Sequence, residues 1–381
     1  MDKVPLLEQE VVEESMGSSD RARRRVDTVK RMSEPKPSAV FDTYWRFTVE
    51  RQEIYRQRVE GFPAPWTKDP ILLVHKFTNA YRAADRVSQY LIKEVIYSGD
   101  FDVADAVLRI LFFKIFNKIS TWQFVAGAIG ELNSKSFKTR ELDGILSVAM
   151  ETGTKIYSGA YIMPSGPMSI RQPRKHRMHL QLLDTSLRGG LVNKLCGAKS
   201  MSALYESLLG ISSFGPFLAY QFATDLAYSP HFNFSEMEFV VPGPGAKDGM
   251  RKCFENFGEY SEPEVIRWMA ERQADEFAKR GLQFRNLWGR PLQLIDCQNL
   301  FCEVDKYARV AHPNVSGISG RTRIKQRYDN PKPMEAPFFP PKWGVNPHIT
   351  PPRAGGIPDR TRSPRQRVPG MQAALDLKAI S

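Results

Sequence analysis

Val241-Pro242-Gly243-Pro244-Gly245-Ala246-Lys247 runs into a helix-like stretch through Phe254 and Phe257, and the fold is read outward from this segment. Two glycines bracketing one residue ahead of a helix make a tight turn whose backbone N–H groups point outward. With the adjoining helix N-terminus, such a turn holds a phosphate oxygen without any side chain. Glycine–proline turns are also common as plain chain reversals before helices. The segment therefore carries a structural reading beside the phosphate-binding one.

A second segment, Leu292 to Val310, places Leu294, Ile295, Leu300, Phe301, Val304, Tyr307 and Ala308 at helical spacing. Asp296 sits beside an apolar pair at the start of this helix. It reads as an N-cap, or as a desolvated carboxylate facing a cleft and able to stabilise a cationic sugar or activate a nucleophile.

Helical periodicity dominates residues 38–313. A first helix presents Phe41, Tyr44, Trp45, Thr48, Gln52 and Tyr55. Residues 70–98 repeat apolar groups from Leu73 to Val95, and Asp102 is placed to cap an apolar helix over 103–118. Further helices are expected at 121–131, 138–152, 200–210, 216–227, 246–257, 262–280 and 291–310. Met237 to Val241 is the one β-like run, readable as a strand or as plain extended chain. The fold class is all-α.

The 381 residues carry a formal net charge of +12, and its placement divides the chain. Residues 1–37 hold equal numbers of acidic and basic groups and read as a disordered arm. Residues 314–381 are rich in Pro and Arg, and the last 67 hold 12 basic against 4 acidic side chains. That composition predicts a basic disordered tail, solvated or attached to phosphate, although Phe338 to Trp343 could dock back on the body. The longest apolar runs are broken by charge, so no membrane span is expected, nor a secretory signal. The four cysteines and six histidines match no metal-ligand spacing, and neither metal nor cofactor is expected. Arg21 to Arg25 with Lys30-Arg31 has the form of a two-part nuclear-import signal, which would make a eukaryotic copy nuclear.

The hairpin, with Ile295-Asp296-Cys297-Gln298 after it, resembles the helix-hairpin-helix DNA glycosylase superfamily. That resemblance implies DNA as partner, with Gly243, Gly245, Ala246 and Lys247 gripping phosphate. It also implies Asp296 as the catalytic carboxylate, and Lys247 either as a phosphate contact or as a Schiff-base amine. The chain departs from the pattern in three ways. Lys247 and Asp296 are 49 positions apart, Gln298 stands where a His is usual, and the cluster cysteines are absent.

Longer blocks resemble a narrower family. They are Phe77 to Leu91, Pro216 to Gln221 with Asp225-Leu226, Asn233-Phe234, and Gly243 to Ala246. In this order they are similar to the helical domain that accompanies 5-hydroxymethyluracil DNA kinases, a relative of thymine-hypermodifying enzymes. The resemblance implies a DNA-facing helical module that recognises, excises or modifies an altered thymine. Kinase activity from this chain alone is not expected, because a P-loop needs Gly-Lys and that dipeptide does not occur.

A base-acting enzyme extrudes its target and holds it among aromatic and polar groups. Gln221, Asp225, Tyr220, Asn79, Arg82 and Arg86 are the candidate pocket residues. Gln221 and Asp225 lie one turn apart within an apolar segment, where unpaired polar groups cost about 1–3 kcal/mol each. Arg82, Asp85, Arg86 and Gln89 would share one helical face, equally readable as a solvated salt-bridge face. Arg171 to Arg177 reads as a charged loop or a phosphate contact. The competing function is a non-catalytic DNA-binding or chromatin adaptor that keeps the fold.

Overall fold

The structure is a computed structural model that describes residues 33–159, 163–164, 172–328 and 334–350. It is mainly helical, as the periodicity predicts. In chain order the helices are α1 (Ala39–Val59), α2 (Pro70–Val74), α3 (Arg86–Tyr90), α4 (Val103–Phe116) and α5 (Ile119–Ile129). They continue with α6 (Thr139–Glu151), α7 (Lys175–Arg188), α8 (Leu191–Gly197), α9 (Met201–Leu209) and α10 (Pro216–Ala227). The last three are α11 (Pro244–Cys253), α12 (Glu262–Lys279) and α13 (Leu294–Ala311).

Local chemistry sets many of the starts. Asp102 Oδ1 accepts the Asp105 N–H at 2.8 Å and caps α4, as expected. Asp69 Oδ1 caps α2 through Ile71 and Leu72. Ser261 and Glu264 form a reciprocal capping box at α12. Pro216 and Pro244 open α10 and α11, where a missing N–H costs nothing.

The core is centred on α13, which packs on α1, α11 and α12. Around it Tyr44, Trp45, Phe254, Phe301 and Phe277 lie edge-on or tilted against one another and are buried. Trp45, Tyr55, Phe112, Phe113 and Phe116 are all core side chains.

Five expectations are corrected. Residues 70–98 are not one helix: α2 ends at Val74, an irregular stretch and a 3-10 turn (Arg82–Ala84) follow, and α3 runs on into a π-helical turn (Leu91–Ile96). The break arises because Asp85 turns back to accept the Asn79 N–H, while Asn79 donates to the Ala84 carbonyl. Met237 and Glu238 lie in a turn and Phe239 to Val241 carry no regular structure; the strands among the described residues are Lys36–Pro37 and Phe254–Asn256, paired antiparallel. That second strand ends the helix expected to reach 257. Residues 175–177 open α7 instead of lying in a loop, and Arg177 Nε and His176 Nε2 both lie 2.7 Å from Asp143 Oδ1. Arg171 lies outside the described residues. Finally, the disorder expected from residue 314 onward does not hold for 334–350: these residues pack on the body with Phe339 and Val345 buried, and the Phe338–Trp343 patch docks as its aromatic composition allows. The nuclear-import pattern and residues 351–381 lie outside the described residues.

Candidate functional site

Arg82 organises the charged interior. Its Nη2 donates to Asp225 Oδ1 at 2.7 Å, its Nε to Gln221 Oε1 at 3.1 Å, and its Nη1 to the Tyr228 hydroxyl at 2.8 Å. Lys114 Nζ lies 2.8 Å from the other Asp225 oxygen. All five side chains are buried. Gln221 and Asp225 reach Arg82 together because they are one turn apart on α10. Burial alone would raise the Asp225 pKa, but Arg82 and Lys114 hold it below the usual carboxylate value. Burial brings Lys114 down to about 8. An ion pair this well matched in hydrogen bonds is stable in a dry interior, and loss of either partner leaves a stranded charge.

The Arg82 backbone N–H donates to Asp296 Oδ1 at 2.8 Å. Asp296 Oδ2 accepts the Gln293 N–H at 3.0 Å, closing a capping box in which Gln293 is the N-cap and Asp296 the third residue of α13. Burial, and secondarily the Glu236 charge, push the Asp296 carboxyl up to about 7. Arg82, Gln221, Asp225 and Asp296 thus form one connected cluster.

The other expected residues lie elsewhere. Tyr220 is buried beside the cluster, 6.0 Å from the Phe239 ring. Asn79 accepts from Arg51 Nη2 at 2.7 Å and braces the 77–85 turn. Arg86 is exposed at the start of α3. Lys247 Nζ pairs with Glu262 at 2.9 Å on the surface. The hairpin glycines adopt extended or helical backbone with no positive φ. A methyl group at Gly243 would lie 2.5 Å from the Phe217 ring, and one at Gly245 3.1 Å from Cys302 Sγ. Their smallness therefore serves packing; no side chain caps the α11 N-terminus that contains Gly245 and Ala246, and Ala246 is fully buried.

Beside the cluster opens a polar pocket of about 260 Å³, lined by Asn233, Phe234, Glu236, Arg290, Gln293, Lys342 and Trp343 among others. It shares a wall with the cluster. Gln293 lines it while capping Asp296, and Tyr228 meets the Trp343 ring edge-on at 5.6 Å. Arg290 Nη2 donates to Glu236 Oε2, and its guanidinium lies 3.9 Å over the Trp343 ring. Sequence reasoning missed Glu236, Arg290, Gln293, Lys342 and Trp343. Its signals were Asn233-Phe234 and the Phe338–Trp343 patch. A larger depression, of about 460 Å³, lies between the 34–38 segment and α12. Its Arg272, Arg280 and Lys279 are paired with acids, and it is remote in sequence from Asp296.

Together these features define a mainly helical body with a polar, aromatic-walled pocket backed by a buried charge cluster. No helix of the described residues is long and apolar enough to cross a membrane. Among them, no group of His, Cys, Asp or Glu is arranged to hold a metal ion. The chain belongs to the family described as the 5-hmdU DNA kinase helical domain, whose family model matches residues 38–317. It is also similar to the 5-hmdU DNA kinase of Bacillus phage SP10, at 24% identity over 302 residues. That match covers 74% of this chain and 47% of the relative, so the chain spans about half the length of the relative. No solved structure matches. The relative's phage source gives the nuclear expectation no support.

Proposed function

We propose that this chain binds DNA and recognises a modified uracil-type base, of the 5-hydroxymethyluracil kind, in the pocket bounded by Asn233, Glu236, Arg290, Gln293 and Trp343. The observation that carries the reading is this pocket's mixture of amide, guanidinium and aromatic groups. An extruded pyrimidine requires such polar readers and a ring wall, in a space shielded from bulk water. The name of the phage relative supports the base class, and the family supports DNA as the partner. Asp296, buried behind Gln293 and outside the pocket lining, is the carboxylate this reading assigns to any excision or base-modifying chemistry. Lys247 is the candidate phosphate contact, reached by exchanging its surface ion pair with Glu262 for a phosphate.

A second reading is a recognition module without chemistry. It draws on Asp296, whose two oxygens are both occupied by backbone N–H groups in the free protein. The test measures affinity for duplexes that carry 5-hydroxymethyluracil or thymine at one position, then analyses the strands for altered bases. Tighter binding of the modified duplex is expected, and equal affinity for both would refute recognition. Products formed by the wild type and lost in a folded Asp296→Asn protein would establish catalysis. Identical product profiles would leave recognition alone.

A further inference from the structure

Residues 334–350 lie beyond the family-matched stretch 38–317, yet they furnish Lys342 and Trp343 to the pocket. They are fastened at several places. The Phe338 N–H donates to Gln89 Oε1 at 2.8 Å, and its ring meets Tyr97. Phe339 is fully buried, 6.2 Å from both the Trp288 and Trp343 rings. Lys342 Nζ donates to the carbonyls of Ala227, Ser229 and Phe232 at 2.6, 2.8 and 2.5 Å. With its three donors occupied at the C-terminal end of α10, this ammonium acts as an anchor and has none left for a ligand.

Arg290 differs. Guanidinium has five donors, and among the described residues the hydrogen bond it makes is one N–H to Glu236 Oε2. Glu236 is itself buried, and the Arg290 guanidinium carbon sits over the Trp343 ring, 3.9 Å from its centroid. The cation is therefore held by a carboxylate at one N–H group and by an aromatic ring close to its central carbon.

The geometry points to residues 334–350 as a specificity strap, in which Trp343 is a positioning residue for Arg290. The ring fixes the guanidinium plane so that its remaining N–H groups meet an acceptor oxygen of the bound base. This inference rests on the base-recognition reading above. It adds that a segment outside the family-matched residues sets the strength of that recognition, through an interaction worth about tenfold in affinity.

The test uses the full chain with 15N-labelled arginine. The Nε–H signal of Arg290 is assigned by its loss in Arg290→Lys. In Trp343→Ala this signal should move toward the position of freely rotating arginine side chains, and Trp343→Phe should keep it near the wild-type position. Preference for a 5-hydroxymethyluracil duplex over one with an abasic site should fall about tenfold in Trp343→Ala and in Arg290→Ala. The double variant should lose no more than either single one, since both remove the same interaction. An Arg290 signal unmoved by Trp343→Ala, or single losses that multiply in the double variant, would overturn the positioning role even if the wild type prefers the modified base. A wild type that binds both duplexes alike would sink the base reading and the strap's ligand role with it.

Discussion

Asp296 shows how one side chain meets two sequence expectations at once. It belongs to the cap of α13, at the third helical position with Gln293 as N-cap, and it is desolvated, with its carboxyl raised to about 7 by burial and then by Glu236. The unfolded value is near 3.9, so between about pH 4 and 7 the folded protein holds a proton that the unfolded chain has released. Stability from this residue therefore grows as pH falls from 7 toward 4, and it is lost as pH rises through 7. Asparagine cannot titrate. Urea unfolding should find a wider stability gap between wild type and Asp296→Asn at pH 5 than at pH 8. Equal gaps would show that the carboxyl is not raised. The sequence marks Asp296, Gln221 and Asp225 as polar groups in apolar surroundings; all three are buried and paired in the interior, and none lines the pocket. The sequence could not supply Arg82 as their shared partner, because the 70–98 pattern read as one continuous helix.

The approach of α11 to α13 depends on a residue that the hairpin motif did not single out. A methyl group at Gly249 would lie 2.0 Å from the Phe301 carbonyl oxygen, so backbone meets backbone there. Gly249→Ala should force the two helices apart and destabilise the protein by about 1–3 kcal/mol or more, read as a lower denaturation midpoint. A variant as stable as the wild type would contradict this close packing. Helices such as α10 were legible from their apolar spacing and opening proline. α7 was not, because Arg174 to Arg177 resembles a solvated charge run and His176 and His179 count as polar although both are buried. The pocket was illegible for a different reason: its lining comes from the end of α10, residues 233–236, residues 290–293 and residues 342–343. No local period joins segments so far apart in the chain.

On the proposed reading, the uneven charge of the molecule separates attraction to DNA from recognition. Ending the chain after residue 350 removes Arg353, Arg360, Arg362, Arg365, Arg367 and Lys378 and leaves the strap in place. The slope of log affinity against log salt should flatten, by about 0.9 for each phosphate that the tail no longer neutralises, while preference for the modified base stays unchanged. An unchanged slope would mean that the tail does not touch phosphate. The strap itself joins partners far apart along the chain: Phe338 reaches Gln89 across 249 positions, and Lys342 reaches Ala227 across 115. Contacts of such long sequence separation close late in folding. Synthesis proceeds from the N-terminus, so α1 to α13 emerge before any strap residue does. A nascent chain thus presents α1 to α13 before it has a finished pocket, and on the proposed reading base selectivity waits for Trp343.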